Sequence, residues 1–256
     1  MTRIFGLLYG LIAYAAFNAV SIYGVGFLGG FLTPTQLDGP ATRPLGVALA
    51  IDFALLAAFA IQHSGMARPT FKRWWTRIVP ASVERSTYVL ISSLMMVALY
   101  VWWQPIGPVL WRAPDGLARD AVIGLFLLGW AILVYSTFLI DHFDLLGLKQ
   151  VWGRLTGAAP RVQQLHTPSL YRLVRHPLYV GWLTIFWAAP IMTVAHLVFS
   201  LGTTAYILVA IQLEERNLVD EFGAGYIEYR RRTPMLIPRL WPRREPRPTV
   251  VKRRVA

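Results

Sequence analysis

The chain has 256 residues, of which 55% are hydrophobic and 15% are charged, whereas a soluble domain carries about 25% charged residues. This composition excludes a disordered chain, a collagen-like repeat and a soluble nucleic-acid-binding domain. The net charge of +12 is concentrated near the end, because ten of the 25 Lys and Arg residues lie between positions 230 and 254. Basic clusters beside apolar segments are typical of contact with anionic lipid headgroups. The sequence therefore predicts a membrane partner for the basic tail and no nucleic acid.

Four apolar segments in the first half of the chain are long enough to cross a bilayer, which takes about 20 residues of helix. They lie at 4–32, 44–62, 87–103 and 121–140. The first is too long for the apolar core of a signal peptide. The second contains an acid, Asp52, which is either a functional group facing a cavity or a group that packs helices together.

The last apolar block, at 178–213, is about twice the length of one span and contains Pro190 near its centre. Proline ends or kinks a helix. We therefore expect a helical hairpin with arms at 178–189 and 191–213. The alternative is a single long kinked helix.

The distribution of Lys and Arg predicts the orientation, because basic loops stay in the cytoplasm. The loops at 63–86 and 141–177 and the C-terminal tail are basic, and the other loops are poor in charge. All three basic regions can be cytoplasmic only if the N-terminus is cytoplasmic too. The chain must then cross the membrane six times, or five times with an additional re-entrant turn. The predicted fold is an all-α polytopic bundle with five to six membrane segments, ending in the helical hairpin.

Titratable, aromatic and helix-breaking residues concentrate in three segments, at 141–150, 166–181 and 214–238. Glu214 and Glu215 come at the end of the last predicted span, where the helix dipole favours cations. The pair therefore needs a positive partner, which is Arg216, an arginine of the tail or a cationic ligand. The alternative is a network of salt bridges at the level of the lipid headgroups.

Two sets of residues resemble known membrane methyltransferases. The first set is Arg175-His176-Pro177-x-Tyr179-x-Gly181, then Glu214-Glu215 and Phe222-Gly223-x-x-Tyr226-x-x-Tyr229, then Pro234 and Pro238. It resembles the family of isoprenylcysteine carboxyl methyltransferase. The second set is Thr137-Phe138-Leu139-Ile140-Asp141-His142-Phe143-Asp144-Leu145-x-Gly147-Leu148-x-Gln150-Val151 with Trp187-Ala188-Ala189-Pro190-x-Met192-Thr193-x-x-His196. It resembles the related bacterial methanethiol S-methyltransferases.

This resemblance implies an enzyme that transfers a methyl group from S-adenosylmethionine to a small thiol, methanethiol, giving dimethyl sulfide. It also implies a bacterial cytoplasmic membrane as the location. The whole chain, 1–256, is then one membrane methyltransferase domain. Its parts are four spans in 1–140, a cofactor-binding and catalytic region in 141–240, and a basic cytoplasmic tail in 241–256.

The resemblance also implies which residues hold the cofactor. They are Gln163, Gln164, Leu165, His166, Tyr171, His176, Pro177, Leu178, Tyr179 and Glu214, with Glu215 as a second acid. A carboxylate suits the positive charge of the cofactor. The prenylcysteine enzymes carry an arginine four residues before the first glutamate, and this chain has Ala210 there. The missing arginine argues against a carboxylic-acid substrate and favours a small neutral one.

Thiol activation requires a base, and the candidates are His142, Asp144 and His196, with Asp141 behind them. For each histidine the alternative is a hydrogen-bonded interfacial role. For Asp141 and Asp144 the alternative is to anchor the helix–loop junction against Lys149 and Arg154.

No metal is predicted, because the histidines lack metal-ligand spacing. The absence of cysteine also excludes a thiolate site and a cysteine nucleophile.

Two rival functions stay open on the residues alone. One is a methyltransferase of the same fold that acts on another thiol, a lipid amine or a carboxylate. The other is a small transporter or membrane assembly protein in which Asp52 and the glutamate pair line a polar path. A transporter of that kind often shows inverted repeats, and none is visible in the sequence.

Overall fold

The protein is described by a computed structural model that covers residues 2–158 and 165–239. Gln163, Gln164 and the basic tail at 241–256 lie outside the described residues. In chain order, the helices are α1 (Arg3–Gly29), α2 (Leu45–Ala67), α3 (Pro69–Trp75), α4 (Ala81–Trp102), α5 (Leu117–Ile140), α6 (His142–Leu145), α7 (Leu148–Thr156), α8 (Pro177–Trp187), α9 (Val194–Phe222) and α10 (Ala224–Arg232). A 3₁₀ turn covers Ser169–Arg172, and two short strands are β1 (Val109–Arg112) and β2 (Ile191–Thr193).

Five of these helices, α1, α2, α4, α5 and α9, are long and apolar enough to cross a membrane. The predicted membrane bundle is therefore confirmed. The predicted C-terminal hairpin is also confirmed, since Pro190 lies between α8 and α9 outside any helix. The alternative of one long kinked helix is wrong. The second arm begins at Val194 and continues to Phe222, nine residues beyond the predicted end at 213.

The two strands form a small antiparallel sheet that the all-α prediction missed. Val109 pairs with Thr193 and Arg112 pairs with Ile191. The ladder extends on both sides, since Ala113 N donates to Pro190 O (2.8 Å) and Val194 N donates to Pro108 O (3.0 Å). The sheet joins the α4–α5 connection to the α8–α9 connection, so both connections lie at one end of the bundle.

We call this end the hairpin end and the opposite end, with α6, α7 and α10, the site end. The five long helices α1, α2, α4, α5 and α9 run between the two ends, and the shorter α8 begins at the site end and leads through β2 to the start of α9. This is compatible with both arrangements that the charge pattern left open, six crossings or five plus a re-entrant turn. Contacts at the site end include Tyr14 of α1 with His142 of α6. At the hairpin end, Trp103 after α4 donates to Leu37 O after α1.

Helices α5 and α8 pack closely through two glycines. A Cβ at Gly181 would lie 2.8 Å from Leu133 N and 2.9 Å from Gly129 O, so only a hydrogen fits there. Small residues let helix backbones approach closely in membrane bundles. This contact fixes α8, and with it the motif at 175–179, against α5.

Asp52 lies at the hairpin end and is fully buried. Its Oδ1 accepts a hydrogen bond from the backbone N–H of Gln104 (2.9 Å), just after α4 ends. The carboxylate therefore ties α2 to the end of α4, which is the helix-packing role left open by the sequence.

Candidate active site

A cavity of about 2830 Å³ opens between the helices and extends to the site end. Pockets for drug-sized ligands measure about 300–1,000 Å³, so this cavity has room for two ligands side by side and an entry path. Most of the sequence-predicted candidates line it: His142, Asp144, Leu165, His166, Tyr171, His176, Leu178, Tyr179 and Glu214. Three other described candidates, Pro177, Glu215 and His196, are not among the lining residues.

Of the two adjacent glutamates, Glu214 is the one that lines the cavity. The Tyr179 hydroxyl donates a hydrogen bond to Glu214 Oε2 (3.0 Å), which links α8 to α9. Residues four apart lie on one face of a helix, and Tyr206, Ala210 and Glu214 all line the cavity from α9. The position that lacks the arginine of the prenylcysteine enzymes therefore belongs to the cavity wall.

Glu215 points away from the cavity and is only 5% exposed. Its Oε1 accepts hydrogen bonds from Arg175 Nε (2.7 Å) and His176 Nε2 (3.1 Å). Arg230 of α10 lies 3.7 Å from Oε2. The positive partner that the glutamate pair requires is thus Arg175, which comes from the motif before α8. Arg216 is exposed.

The segment after α10 packs against Arg175 and His176, the residues just before α8. Arg175 N donates to Pro234 O (2.8 Å) and His176 N donates to Met235 O (3.2 Å). Arg175 Nη1 also donates to Thr233 O (2.5 Å). Glu215 therefore holds the side chains of Arg175 and His176, and residues 234–235 hold their backbone N–H groups. Pro177 begins α8 at its first position, where proline is favoured.

Tyr171 lines the cavity from the 3₁₀ turn. Its backbone carbonyl accepts a hydrogen bond from the Tyr229 hydroxyl (2.6 Å), which ties the turn to α10. Burial, together with the nearby charge of Glu214, raises the pKa of Tyr171. The Tyr171 hydroxyl is therefore protonated at neutral pH and is a hydrogen-bond donor.

The segment at 141–150 forms another wall, which the start of α4 holds in place. Arg85 Nε donates to Leu145 O (2.7 Å) and Ser86 Oγ donates to Gly147 O (3.3 Å). Asp141 accepts from Asp144 N through Oδ1 (3.2 Å) and forms an ion pair with Lys149. Asp141 thus anchors the helix–loop junction, which is the alternative role that the sequence left open for it.

His142 is 8% exposed, and its two ring nitrogens have different partners. Thr137 Oγ1 donates to Val134 O (2.7 Å), so it accepts from His142 Nδ1–H (2.8 Å). Nε2 is then the acceptor, and Tyr14 donates its hydroxyl to it (3.1 Å). Burial lowers the pKa of His142, with Asp141 opposing the shift. His142 is therefore a neutral imidazole with its basic nitrogen beside Tyr14.

Asp144 is half-buried on the same wall. Its Oδ1 accepts a hydrogen bond from Gln150 Nε2 (3.2 Å), and its backbone carbonyl accepts from the same amide (3.1 Å). The side-chain amide of Gln150 thereby fixes the direction of the Asp144 carboxylate.

The structure places His196 at the hairpin end, apart from the other candidates. His196 Nδ1 lies 2.8 Å from Asp38 Oδ2, and Nε2 lies 3.0 Å from Phe186 O. Both ring nitrogens are therefore engaged by protein partners at the hairpin end, away from the other candidates. His196 joins the α1–α2 connection to the start of α9.

The sequence analysis missed three cavity residues on the long helices: His63 of α2, Tyr88 of α4 and Tyr206 of α9. Tyr88 and His63 bond to each other, and Tyr206 bonds to Ser64 (3.1 Å). The available signal was the polar run at 62–64 at the end of an apolar span, since polar groups in a spanning helix face a bundle interior or a cavity.

Comparisons with known proteins identify the family. No protein-family model and no solved structure matches the chain. Over 238 residues, 93% of this chain, it is 50% identical to "Methanethiol S-methyltransferase 2" of Bradyrhizobium diazoefficiens, covering 92% of that protein. It is 44% identical over 244 residues to the Mycobacterium tuberculosis methanethiol S-methyltransferase, covering 95% of this chain and 99% of that one. A more distant relative is nurim of Sus scrofa, 35% identical over 182 residues, which are 67% of this chain and 68% of nurim. These identities confirm the resemblance seen in the motifs, and the chain belongs to the family of the methanethiol S-methyltransferases.

Proposed function

We propose that the protein transfers a methyl group from S-adenosylmethionine to methanethiol, giving dimethyl sulfide, S-adenosylhomocysteine and a proton. The relatives at 43–50% identity over more than nine tenths of the chain carry the name of that methyltransferase. The observation that carries the proposal is the Tyr179–Glu214 pair, an oriented carboxylate in the wall of a large, mostly apolar cavity.

The residues around Glu214 fit S-adenosylmethionine. A half-buried carboxylate in an apolar wall favours a cationic ligand, and this cofactor carries a sulfonium and an ammonium group. When bound, S-adenosylmethionine supplies an electrophilic methyl group. The residues proposed to hold it are Leu165, His166, Tyr171, His176, Leu178, Tyr179 and Glu214, together with Gln163 and Gln164. Pro177 and Glu215 would then act by holding His176 and Arg175 in place.

The acceptor site is proposed to lie in the apolar part of the same cavity. Ala210 lines it without offering a charge, which suits a small neutral thiol. Thiol activation is proposed for the wall at 141–150, with His142 or Asp144 accepting the thiol proton. Both line the cavity, and His142 is in the neutral form that a general base requires.

The decisive experiment supplies membranes containing the protein with methanethiol and S-adenosylmethionine whose methyl group is fully deuterated. We expect dimethyl sulfide with one labelled methyl group in the headspace, and none from matched membranes lacking the protein. Label that appears in lipid instead would indicate a lipid substrate. A protein that binds no S-adenosylmethionine in calorimetry would contradict an enzymatic function and favour the transporter alternative.

We also propose that the protein lies in the bacterial cytoplasmic membrane with both termini and the site end in the cytoplasm, where the basic tail meets anionic lipids. The chain contains no cysteine, so single cysteines report topology directly. A cysteine at Asp115, whose side chain is 88% exposed at the hairpin end, should react with an impermeant reagent in intact cells. Cysteines at Arg73 and Thr249 should react only after lysis, and the reverse pattern would contradict the orientation.

A further inference from the structure

Three basic side chains in the cavity wall have no acidic partner. Of the basic residues along the cavity, Arg68, Lys72, Arg85 and Arg175 are half-buried. Arg175 is paired with Glu215 (2.7 Å). The other three have no carboxylate oxygen within 4.0 Å in the part of the chain that the structure describes. A half-buried charge in an apolar wall favours a ligand of the opposite charge. We call Arg68, Lys72 and Arg85 the basic trio.

The protein uses few of the hydrogen-bond donors of the basic trio. Arg68 Nε donates to Ser64 O (3.2 Å), and Arg85 Nε donates to Leu145 O (2.7 Å). These contacts hold the two side chains and leave their terminal nitrogens for another acceptor. The Lys72 ammonium has no hydrogen bond within residues 2–158 and 165–239.

The basic trio differs from its neighbours in the same part of the chain. Arg73 and Arg77 are exposed and do not line the cavity. Exposed cations are sufficient to keep a loop in the cytoplasm. Taking a cation out of water is costly unless a counter-charge accompanies it. The position of the trio in the cavity wall therefore indicates an anionic group in the ligand.

The basic trio lies close to the proposed cofactor site. The charges of Arg68 and Glu214 both act on the Tyr206 hydroxyl. The charges of Arg85 and Glu214 both act on the Tyr88 hydroxyl. The residues proposed above to hold the cofactor include a carboxylate but no lysine or arginine. The carboxylate of S-adenosylmethionine therefore has no cationic partner among them, and the trio is near enough to supply one.

A buried carboxylate lies beside the basic trio. Glu84 is 9% exposed and lines the cavity, and its Oε1 has no hydrogen-bond partner among the described residues. It precedes Tyr88 by one helical turn, so both lie on the cavity face of α4. The charge of Glu84 acts on Lys72. Buried acceptors in native proteins are normally hydrogen-bonded, so this oxygen indicates a ligand that donates to it.

We propose that the basic trio binds the α-carboxylate of S-adenosylmethionine and that Glu84 accepts a hydrogen bond from the ammonium group on the same carbon. This inference rests on the proposed function and adds a second half to its cofactor site. Charge-assisted hydrogen bonds of this kind are the strong ones. The cofactor then joins α2, α3 and α4 to Glu214 of α9, so the N-terminal part of the chain is needed to bind it.

The test compares the calorimetric affinities of S-adenosylmethionine and decarboxylated S-adenosylmethionine, which differ only in the carboxylate. The wild-type protein should bind the decarboxylated ligand about tenfold or more weakly, the effect of losing one charge-assisted hydrogen bond. Lys72→Met removes the charge and keeps an apolar stem. It should weaken the binding of S-adenosylmethionine alone, so the ratio of the two affinities should shrink. Arg68→Gln should shrink it too.

Two further variants complete the experiment. Arg73→Gln is the matched control, because it removes an exposed cation of the same helix as Lys72. Both of its affinities should equal those of the wild type. Glu84→Gln should weaken both ligands by the same factor, since both retain the ammonium group. The wild-type ratio tests the carboxylate site by itself if a variant folds poorly.

Several results would overturn the inference. Equal wild-type affinities for the two ligands would remove the carboxylate site, and so would a Lys72→Met protein in which both affinities fall together. Methylation of mercaptoacetate that is lost in Lys72→Met, with an unchanged affinity ratio, would assign the basic trio to a carboxylate of the acceptor. Unchanged affinities in Glu84→Gln would remove the ammonium contact. In each case, dimethyl sulfide formation by the wild type would leave the proposed function intact, and a wild type that makes none would contradict that function itself.

Discussion

Replacing His142 with alanine, or Asp144 with asparagine, is expected to slow dimethyl sulfide formation at neutral pH by about 10²- to 10⁴-fold, the usual contribution of a general base. The two side chains lie on the same cavity wall, and His142 presents a neutral Nε2 beside Tyr14. The measurement is the initial rate of product release into the headspace at saturating cofactor. The affinity for S-adenosylmethionine and the melting temperature should stay at their wild-type values.

The pH dependence of the rate distinguishes a general base from a residue that only anchors the helix–loop junction. Burial lowers the pKa of His142, so the neutral form persists below the usual histidine range and the wild-type rate should fall only on the acidic side of that range. The variants should recover partly as the pH rises toward the range where the thiol ionises by itself, near or above the value of about 8.5 for cysteine. If both variants keep near-normal turnover at neutral pH, neither residue is the base, and desolvation of the thiol becomes the better account.

Substitutions of the two adjacent glutamates are expected to have different effects, one on cofactor binding and the other on stability. Glu214→Ala should weaken S-adenosylmethionine binding tenfold or more, because a charge-assisted hydrogen bond contributes about 1.5–3 kcal/mol, and it should leave folding intact. Glu215→Ala should lower the free energy of unfolding by about 3–5 kcal/mol, the cost of removing one partner of a buried ion pair. It leaves the mostly buried Arg175 guanidinium without its carboxylate and removes the partner of His176 Nε2.

Calorimetry with S-adenosylmethionine and thermal unfolding in detergent measure the two effects on the same samples. Glu214→Gln and Glu215→Gln are the matched controls, since they remove the charge and keep the volume. Wild-type cofactor affinity in Glu214→Ala would remove Glu214 from the proposed site. A wild-type melting temperature in Glu215→Ala would show that the Arg175 contact contributes little.

The spans were predictable because an uncharged run of about 20 residues has few alternatives to a bilayer helix. The break at Pro190 was predictable for a local reason, the missing N–H of proline. The strand β1 was not predictable, since Val109–Arg112 lies between Pro108 and Pro114 and its partner comes 80 residues later in the chain. Pairing at that distance depends on the assembled bundle.

The sequence motifs around His176 and Glu214 pointed to residues that lie close together in the structure, since Tyr179 and Glu214 line the same cavity. Which glutamate faces that cavity was not predictable, because adjacent helical residues point about 100° apart and only packing selects between them. His196 was grouped with the site on sequence alone, and the structure places it at the far end of α9. His63 and Tyr88 were missed because their partnership joins two separate spans.

The shortness of α8 has a consequence for how the protein is made. Eleven residues of helix reach only about 16 Å, roughly half of the hydrocarbon thickness. The extended residues that follow pair with β1, which satisfies backbone groups that cannot stay unpaired inside a bilayer. A segment of this kind is not a membrane anchor by itself, so α8 has to enter the bilayer together with α9 and against β1. The His176 motif is held by Glu215 of α9 and by residues 234–235, so it can reach its final position only after those residues have been synthesised.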